Sequence, residues 1–361
     1  MDSQHILIIG AGLAGTSLAH VLLEKGHQVK LVDRGVNHST AIAAGMVNPM
    51  VFRRMNKSWR LDEFMVDAKD YYRKLEKKFD VHLFHPIVIR RMLSSEQERN
   101  YWLERSKLPE YQAYLTEITT EDESYSKAEN HFGSGRLKAS FWVDAKTYYN
   151  ENFAYFERLG VLLKQDFDFS SFDEATLTYQ GEKFDKVVFA VGYQQLNTPY
   201  FQDVPVQQTK GQTLRIRSNQ LPENESLNRK CFVLPLGDQL FRIGATYEWD
   251  NPDLTPTEDA KQELLNHLSV LGSYSYEIID QQVGVRPTVL DRRPILGEHH
   301  TIKNMFLFNG LGTKGYLMAP TLAKELYAHM FLGLPLNNEI SIDRFYKKQS
   351  NSIKNSSLGQ N

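Results

Sequence analysis

Three glycines spaced as Gly10-x-Gly12-x-x-Gly15, with an acid following at Asp33, are the residues whose types and spacing most clearly imply chemistry. The first glycine of such a group permits a tight turn. The second has no side chain to block a pyrophosphate, and the third lets a helix pack close to the preceding strand. The amides that open the helix, Leu13 and Ala14 among them, offer unpaired N–H groups and positive dipole to a phosphate. Asp33, with Arg34 beside it, falls about 20 residues past the turn, where a carboxylate binds ribose hydroxyls. The acid opposes NADP, whose extra phosphate it would repel, and leaves FAD and NAD undivided. A second group holds Gly310, Gly312 and Gly315, with Thr313 and Lys314 between them. Amides at a helix start there stabilise negative charge, and the Lys314 ammonium either adds to them or is a solvated surface lysine.

For these residues to meet, the chain must place strands and helices around them. Residues 6–9 are an apolar run suited to a strand buried on both faces. Residues 13–25 have helical spacing with Gly26 as a stop, and residues 28–32 form a second strand ending at Asp33. FDKVVFAVGY, residues 184–193, is a buried strand that ends in Ala190, Val191 and Gly192. NMFLFNGLGTKGYLMAP gives strand, glycine turn and helix, with Pro320 in the first turns and the helix running to about residue 331. Helical spacing also covers 61–79, 96–106 and 257–271, and a turn followed by a helix leads to about residue 159. Strand character covers 81–93 and 161–172. TKGQTLRIR, CFVLPLGDQLFRIGATYE and YEIIDQQVGVRPTVL fit an antiparallel sheet. Residues 111–135 are polar and loop-rich, and residues 349–361 form a mobile polar tail. The expected fold is α/β: a Rossmann-like nucleotide-binding domain from 1–55, 140–205 and 281–348, with an inserted α+β domain on an antiparallel sheet, from 56–139 and 206–280.

Composition excludes several classes. The 361 residues carry a formal charge of −2, with no global basic excess of the kind nucleic acid demands. The single cysteine, Cys231, rules out an internal disulfide framework, fits a reducing compartment, and is too solitary for a structural zinc site. His85, His299 and His300 lack metal-ligand spacing, so no metal is expected. No apolar run reaches the roughly 18 residues of a membrane span. The first apolar run enters the glycine turn directly and reads as a strand, not a signal peptide, which makes the cytoplasm the expected location. FRRMNKSWR, residues 52–60, is a local basic cluster that suits an anionic substrate or RNA, or is simply a solvated loop.

GAGLAG, AAGMVNP, VVFAVGY with the later KGQTL and GATYE, and GVRPTVLDRRPILG followed by NGLGTKGYLMAP stand in one order along nearly the whole chain. In that order the sequence resembles the D-amino-acid-oxidase-like family of FAD-dependent oxidoreductases, whose types include glycine oxidase, sarcosine oxidase and the MnmC oxidase domain. Two departures stand out. The acid ending the second strand is usually Glu in the family and is Asp33 here, and glycine oxidases carry an Arg in the last glycine turn where Lys314 lies one position off.

The resemblance implies FAD, and non-covalent FAD, because Cys231 matches no attachment position and the residues around His38 give little support for a linkage there. Thr40, Ala43 and Ala44 would lie near the pyrophosphate, while Gly45, Met46 and Val47 pass the isoalloxazine ring and Asn48-Pro49 stiffens the chain beyond. Phe169 would sit on the strand whose backbone meets the adenine. Ala190 and Gly192 border the cofactor, and Gly310, Gly312, Thr313, Lys314 and Gly315 face its pyrimidine end. Arg286 in GVRP matches the arginine that binds a substrate carboxylate, a task for which a planar bidentate fork is suited. Tyr247 in GATYE falls on a strand facing the substrate side.

The implied reaction is oxidation of a C–N bond, with hydride transfer to flavin N5, hydrolysis of the imine, and reoxidation by O2 or another acceptor. A small amine or amino acid of N-substituted-glycine type is the first substrate reading. A tRNA-modification oxidase acting on a carboxymethylaminomethyl group is the second, set lower by the near-neutral charge, so that nucleic acid is not an expected partner. A flavin-binding module without catalysis is the third, and the substrate-side arginine opposes it.

Overall fold

A computed structural model describes residues 2–119, 130–249 and 253–346, so the tail at 349–361 and part of the 111–135 stretch lie outside the described residues. The chain divides into two compact units. The first is built from 1–41, 146–209 and 286–361, and the second from 42–145 and 210–285.

The first unit is organised on β1 (His5–Ile9), α1 (Leu13–Glu24) and β2 (Gln28–Val32). β1 lies inside a six-stranded sheet, parallel to β2 on one side and to Lys186–Phe189 on the other. Leu162–Leu163 extends the sheet beyond β2. Met305–Asn309 adds parallel to Lys186–Phe189, and Ile295–Glu298 closes the edge antiparallel. Ile6, Leu7 and Ile8 are fully buried, as a strand covered on both faces requires. α1 buries nearly its whole circumference, which is why its sequence is apolar all round and not striped. It packs against the helix Gly315–Leu332. On the sheet's other side Leu7, Ile9, Val187, Phe189 and Leu307 build a core with Phe172, Tyr179 and Phe201.

An eight-stranded sheet, most of it in the second unit, has the order Glu277–Thr288, Gln207–Arg217, Leu240–Gly244, Phe232–Gly237, Glu225–Asn228, Val88–Met92, Ser134–Leu137, Leu115–Thr119. The sheet is mixed and not purely antiparallel, because Glu225–Asn228 runs parallel to Val88–Met92. Its core under the helix Glu258–Leu271 holds Leu214, Val233, Phe241, Ile243 and Cys231. Two ion pairs are buried here. Arg90 makes a bidentate contact with Glu225 at 2.9 and 3.0 Å, and Arg91 Nε donates to Glu98 at 2.7 Å.

Three local expectations are corrected. The strand expected over 81–93 is two, Phe84–Pro86 and Val88–Met92, in different sheets. Pro86 has no N–H to continue one ladder. The strand expected over 161–172 is only Leu162–Leu163, and Phe169 instead opens a 3-10 turn, Phe169–Ser171. Asp168 causes this: its carboxylate accepts from the Ser170 amide at 2.9 Å and the Ser170 hydroxyl at 2.6 Å, local bonds that compete with a ladder. Tyr247 lies past the end of its strand at Gly244 and is 58% exposed. There the Thr246 hydroxyl takes the Gln212 amide at 2.9 Å, so a side chain replaces the next rung.

Candidate cofactor and active site

Within the first unit the glycine turn is shaped by contact. A Cβ on Gly15 would stand 1.9 Å from the Gly10 carbonyl oxygen, and one on Gly10, whose φ is +103°, would stand 2.5 Å from the Ala190 carbonyl oxygen. Glycine is therefore the residue these positions accept. Around the turn, Asp33 accepts the Ala11 amide at 2.7 Å and the Gly35 amide at 2.8 Å. Burial raises the Asp33 carboxyl above its usual range, and the two amides and Arg34 pull against it. Arg34 itself reaches Asp166 at 3.7 Å on the exposed side.

The first turn of α1 is capped from elsewhere. Gly12, its N-cap, has no side chain, and the Thr40 hydroxyl accepts the Leu13 amide at 2.9 Å. The helix ladder begins with the Thr16 amide on the Gly12 carbonyl at 2.9 Å, so the ladder leaves the amides of Ala14 and Gly15 to other acceptors. The Tyr316 hydroxyl holds the Thr40 carbonyl at 2.9 Å, and a Cβ on Gly315 would stand 2.9 Å from the Leu13 side chain. The second glycine turn thereby adjoins the first.

Gly312–Lys314 is a 3-10 turn leading into the helix Gly315–Leu332. Lys314 keeps partial exposure at its surface, yet burial of the ammonium pushes it down to about 8. Arg286 opens the last segment of the unit and is half-buried. Two residues on, the Thr288 methyl would lie 3.7 Å from a Cβ on Gly312, so the GVRP strand ends against this turn. Asp291, an acid near Arg286 in sequence, accepts from Arg344 Nε at 3.0 Å.

In the second unit, Met46–Val47 forms a short strand against Phe141–Val143. A Cβ on Gly45 would stand 1.9 Å from the Val143 carbonyl oxygen, so this glycine is demanded by packing whatever else the segment does. Ala43 and Ile42 give their carbonyls to Arg242, at 2.8 and 3.3 Å. Of the basic cluster, Lys57 pairs with Asp62 and Arg60 with Glu63, while Arg53 and Arg54 are exposed.

The dinucleotide fit is therefore tested by space and polarity together: glycine-only positions at a helix start, an acid at the second strand's end, and a second glycine turn beside them. The family model described as FAD dependent oxidoreductase, DAO, matches residues 5–329. The chain belongs to the DAO family of FAD-dependent oxidoreductases. Its cofactor is FAD, and the residues present fit it.

Among curated proteins, a DAO-family relative in Marinobacter nauticus is 24% identical over 97% of this chain: "tRNA 5-methylaminomethyl-2-thiouridine biosynthesis bifunctional protein MnmC". The chain spans only 60% of that protein's length. An uncharacterized oxidoreductase of Bacillus subtilis is 24% identical over 93% of this chain and 96% of its own. Among solved structures, glycine oxidase from Geobacillus kaustophilus superposes with a TM-score of 0.76 at 19% identity, covering 92% of this chain and 96% of that one. Iminodiacetate oxidase from Chelativorans gives 0.74 at 19% identity, covering 93% and 99%.

Sequence reading passes over two residues in this DAO-type unit. Tyr149 is buried on the helix Ala145–Arg158, and burial together with the Asp33 charge raises its phenol. Asn309 ends the strand before the second glycine turn and is 2% exposed. Neither carries a spacing signal, because each sits where an apolar pattern would place a core residue. Cys231 lies in the second unit's core with its thiol pushed up to about 12, a poor nucleophile for any linkage. Among the described residues no cluster could hold a metal ion, and no helix is long and apolar enough to cross a membrane.

Proposed function

We propose that this protein oxidises the C–N bond of an amino acid or secondary amine, of the N-substituted-glycine type. The observation that carries the reading is Arg286, placed two residues before the strand end that abuts the Gly312 turn. When bound, FAD would supply the oxidant for removing hydride from the carbon beside nitrogen. The chain's own residues do the rest. The amides of Gly12, Ala14 and Gly15 would hold the pyrophosphate at the positive end of α1, and Asp33 would order the ribose. The amides of Gly310, Gly312, Thr313 and Gly315, with Lys314, favour negative charge at the pyrimidine end. Ala44, Gly45, Met46 and Val47 are assigned to the ring, Ala190, Gly192 and Phe169 to the cofactor's flank, and Arg34 to its ribose end. Arg286 holds the substrate carboxylate in a bidentate fork, fixing which carbon presents its hydrogen. Tyr247, with its exposed phenol, is a candidate substrate contact. Water then hydrolyses the imine product.

Glycine, iminodiacetate and proline, in the names of three structural neighbours, share a nitrogen one carbon from a carboxylate, which supports this class. The reading is tested by anaerobic mixing of the yellow holoprotein with amines, N-alkyl glycines and D-amino acids. Bleaching confined to compounds without a carboxylate beside the amine carbon would refute it.

A second reading has its own support. The alignment with the MnmC protein runs nearly end to end along this chain, and a carboxymethylaminomethyl group is itself an N-substituted glycine. One active site could serve both. Salt-sensitive tRNA binding at micromolar concentration or tighter would promote it. Of that basic cluster, Lys57 and Arg60 pair with acids, and Arg53 and Arg54 are the exposed cations such binding would use.

A further inference from the structure

We propose that Asn309 is a positioning residue that clamps the Ala190–Gly192 turn to the Gly310–Gly315 turn, so that FAD meets the two as one surface. The inference rests on the reading above that both turns touch the cofactor.

The strands Lys186–Phe189 and Met305–Asn309 are parallel neighbours. Their carboxyl ends lie side by side, and that edge is where open α/β sheets bind ligands. Met305, Leu307 and Asn309 alternate onto one face of their strand, and the first two are fully buried in the apolar core. An apolar third residue would continue the row. The chain instead places a buried amide there, which has to be satisfied.

Both ends of that amide are used. Oδ1 accepts the Gly310 amide at 2.8 Å, and Nδ2 donates to the Gly192 carbonyl at 2.9 Å. Nδ2 also lies 3.5 Å from the Oε1 of Gln195, a residue 2% exposed. Gln195 Nε2 in turn donates to the Tyr200 carbonyl at 2.8 Å and the Thr198 hydroxyl at 3.0 Å.

Both bridged residues are glycines at positive φ, +59° at Gly192 and +73° at Gly310. Such turns have little side-chain packing of their own to hold them. Gly310 is confined on one side, where an added Cβ would meet the Val289 side chain at 2.8 Å. Asn309 supplies the restraint from its own side chain, and it extends that restraint to a turn more than a hundred residues earlier in the chain. A side chain that holds two binding loops in register lowers the ordering cost of binding.

Hydrogen exchange on wild type, Asn309→Leu and Asn309→Asp, each with and without FAD, tests this. In wild type, FAD should slow exchange in peptides covering 190–195 and 309–315. Asn309→Leu keeps the volume and loses both bonds, so exchange should rise in both peptides. FAD binding should weaken roughly tenfold to a hundredfold, the effect of two lost bonds, and the visible circular dichroism of the bound flavin should change. Asn309→Asp keeps the acceptor and loses the donor, so exchange should rise at 190–195 and stay low at 309–315. This variant carries the test if the leucine protein does not fold. If FAD protects neither peptide in wild type, the assignment of the turns to the cofactor fails. If FAD protects both, but the variants bind it within twofold of wild type with no change at 190–195, Asn309 is an ordinary core residue and the proposal falls.

Discussion

On the proposed reading, Arg286 and Lys314 are the two side chains on which the chemistry most depends, and each makes a separable prediction. Arg286→Ala should keep FAD and lose substrate. Removing one partner of a charge-assisted pair costs about 2–5 kcal/mol, or roughly thirtyfold to several-thousandfold in kcat/KM. Arg286→Lys should recover part of this, since a point charge cannot reproduce the fork. Unchanged kcat/KM on a carboxylate substrate would make the arginine structural. Lys314 has its ammonium pushed down to about 8 by burial, against 10.5 for an exposed lysine. Between those values the unfolded chain binds a proton that the folded apoprotein does not, so this residue makes apoprotein stability rise with pH across that window. Lys314→Met should therefore stabilise the apoprotein at neutral pH, and its advantage should shrink towards pH 10. Thermal melts of FAD-free protein across that range decide it. A constant difference between variant and wild type would mean Lys314 is not burial-shifted. The sequence points to these proposed roles only through the ordered motifs. The two amides on Asp33, or the carbonyls on Arg242, depend on folding that no spacing records.

Helices and strands were easier to read where their period was strong. Residues 61–79 and 96–106 are helices with those same bounds, Leu61–Phe79 and Glu96–Ser106, because an apolar stripe and a Ser95 cap mark them. The failures fall where a side chain overrides the pattern: Asp168 turning the backbone before Phe169, Pro86 splitting one strand into two, and Thr246 interrupting a ladder. The parallel pairing of Glu225–Asn228 with Val88–Met92 joins segments far apart in sequence, and neither strand's own residues announce the other. At this scale the prediction concerns α1. Its opening amide is satisfied by a hydroxyl from another segment, so Thr40→Val should act like the loss of a helix cap, about 0.5–2 kcal/mol. Denaturant unfolding of apoprotein measures it. FAD affinity should fall as well if the same turn holds the phosphates, as proposed. Wild-type stability in the variant would show that the bond seen at 2.9 Å contributes nothing net.

For the whole molecule, the prediction is a yellow protein whose colour acid precipitation releases entirely as FAD. Cys231 is enclosed in the second unit's core, and His38 is half-buried, with burial and the neighbouring Arg34 charge lowering its pKa. Flavin that stays with the pellet, bound to a peptide, would show covalent attachment and refute this. On the proposed reading, the cofactor's cradle would draw on the glycine turn at 10–15, on the strand that precedes Ala190, and on the turn at Gly310. A ribosome makes these pieces in that order, with the second unit's two segments emerging in the intervals. The nascent chain thus carries a phosphate turn long before it has the strand and helix that complete the site. If the site is assembled this way, FAD capture would wait until Gly315–Leu332 has cleared the exit tunnel. In cells short of flavin, the chain would accumulate as an apoprotein in which both glycine turns have already been made.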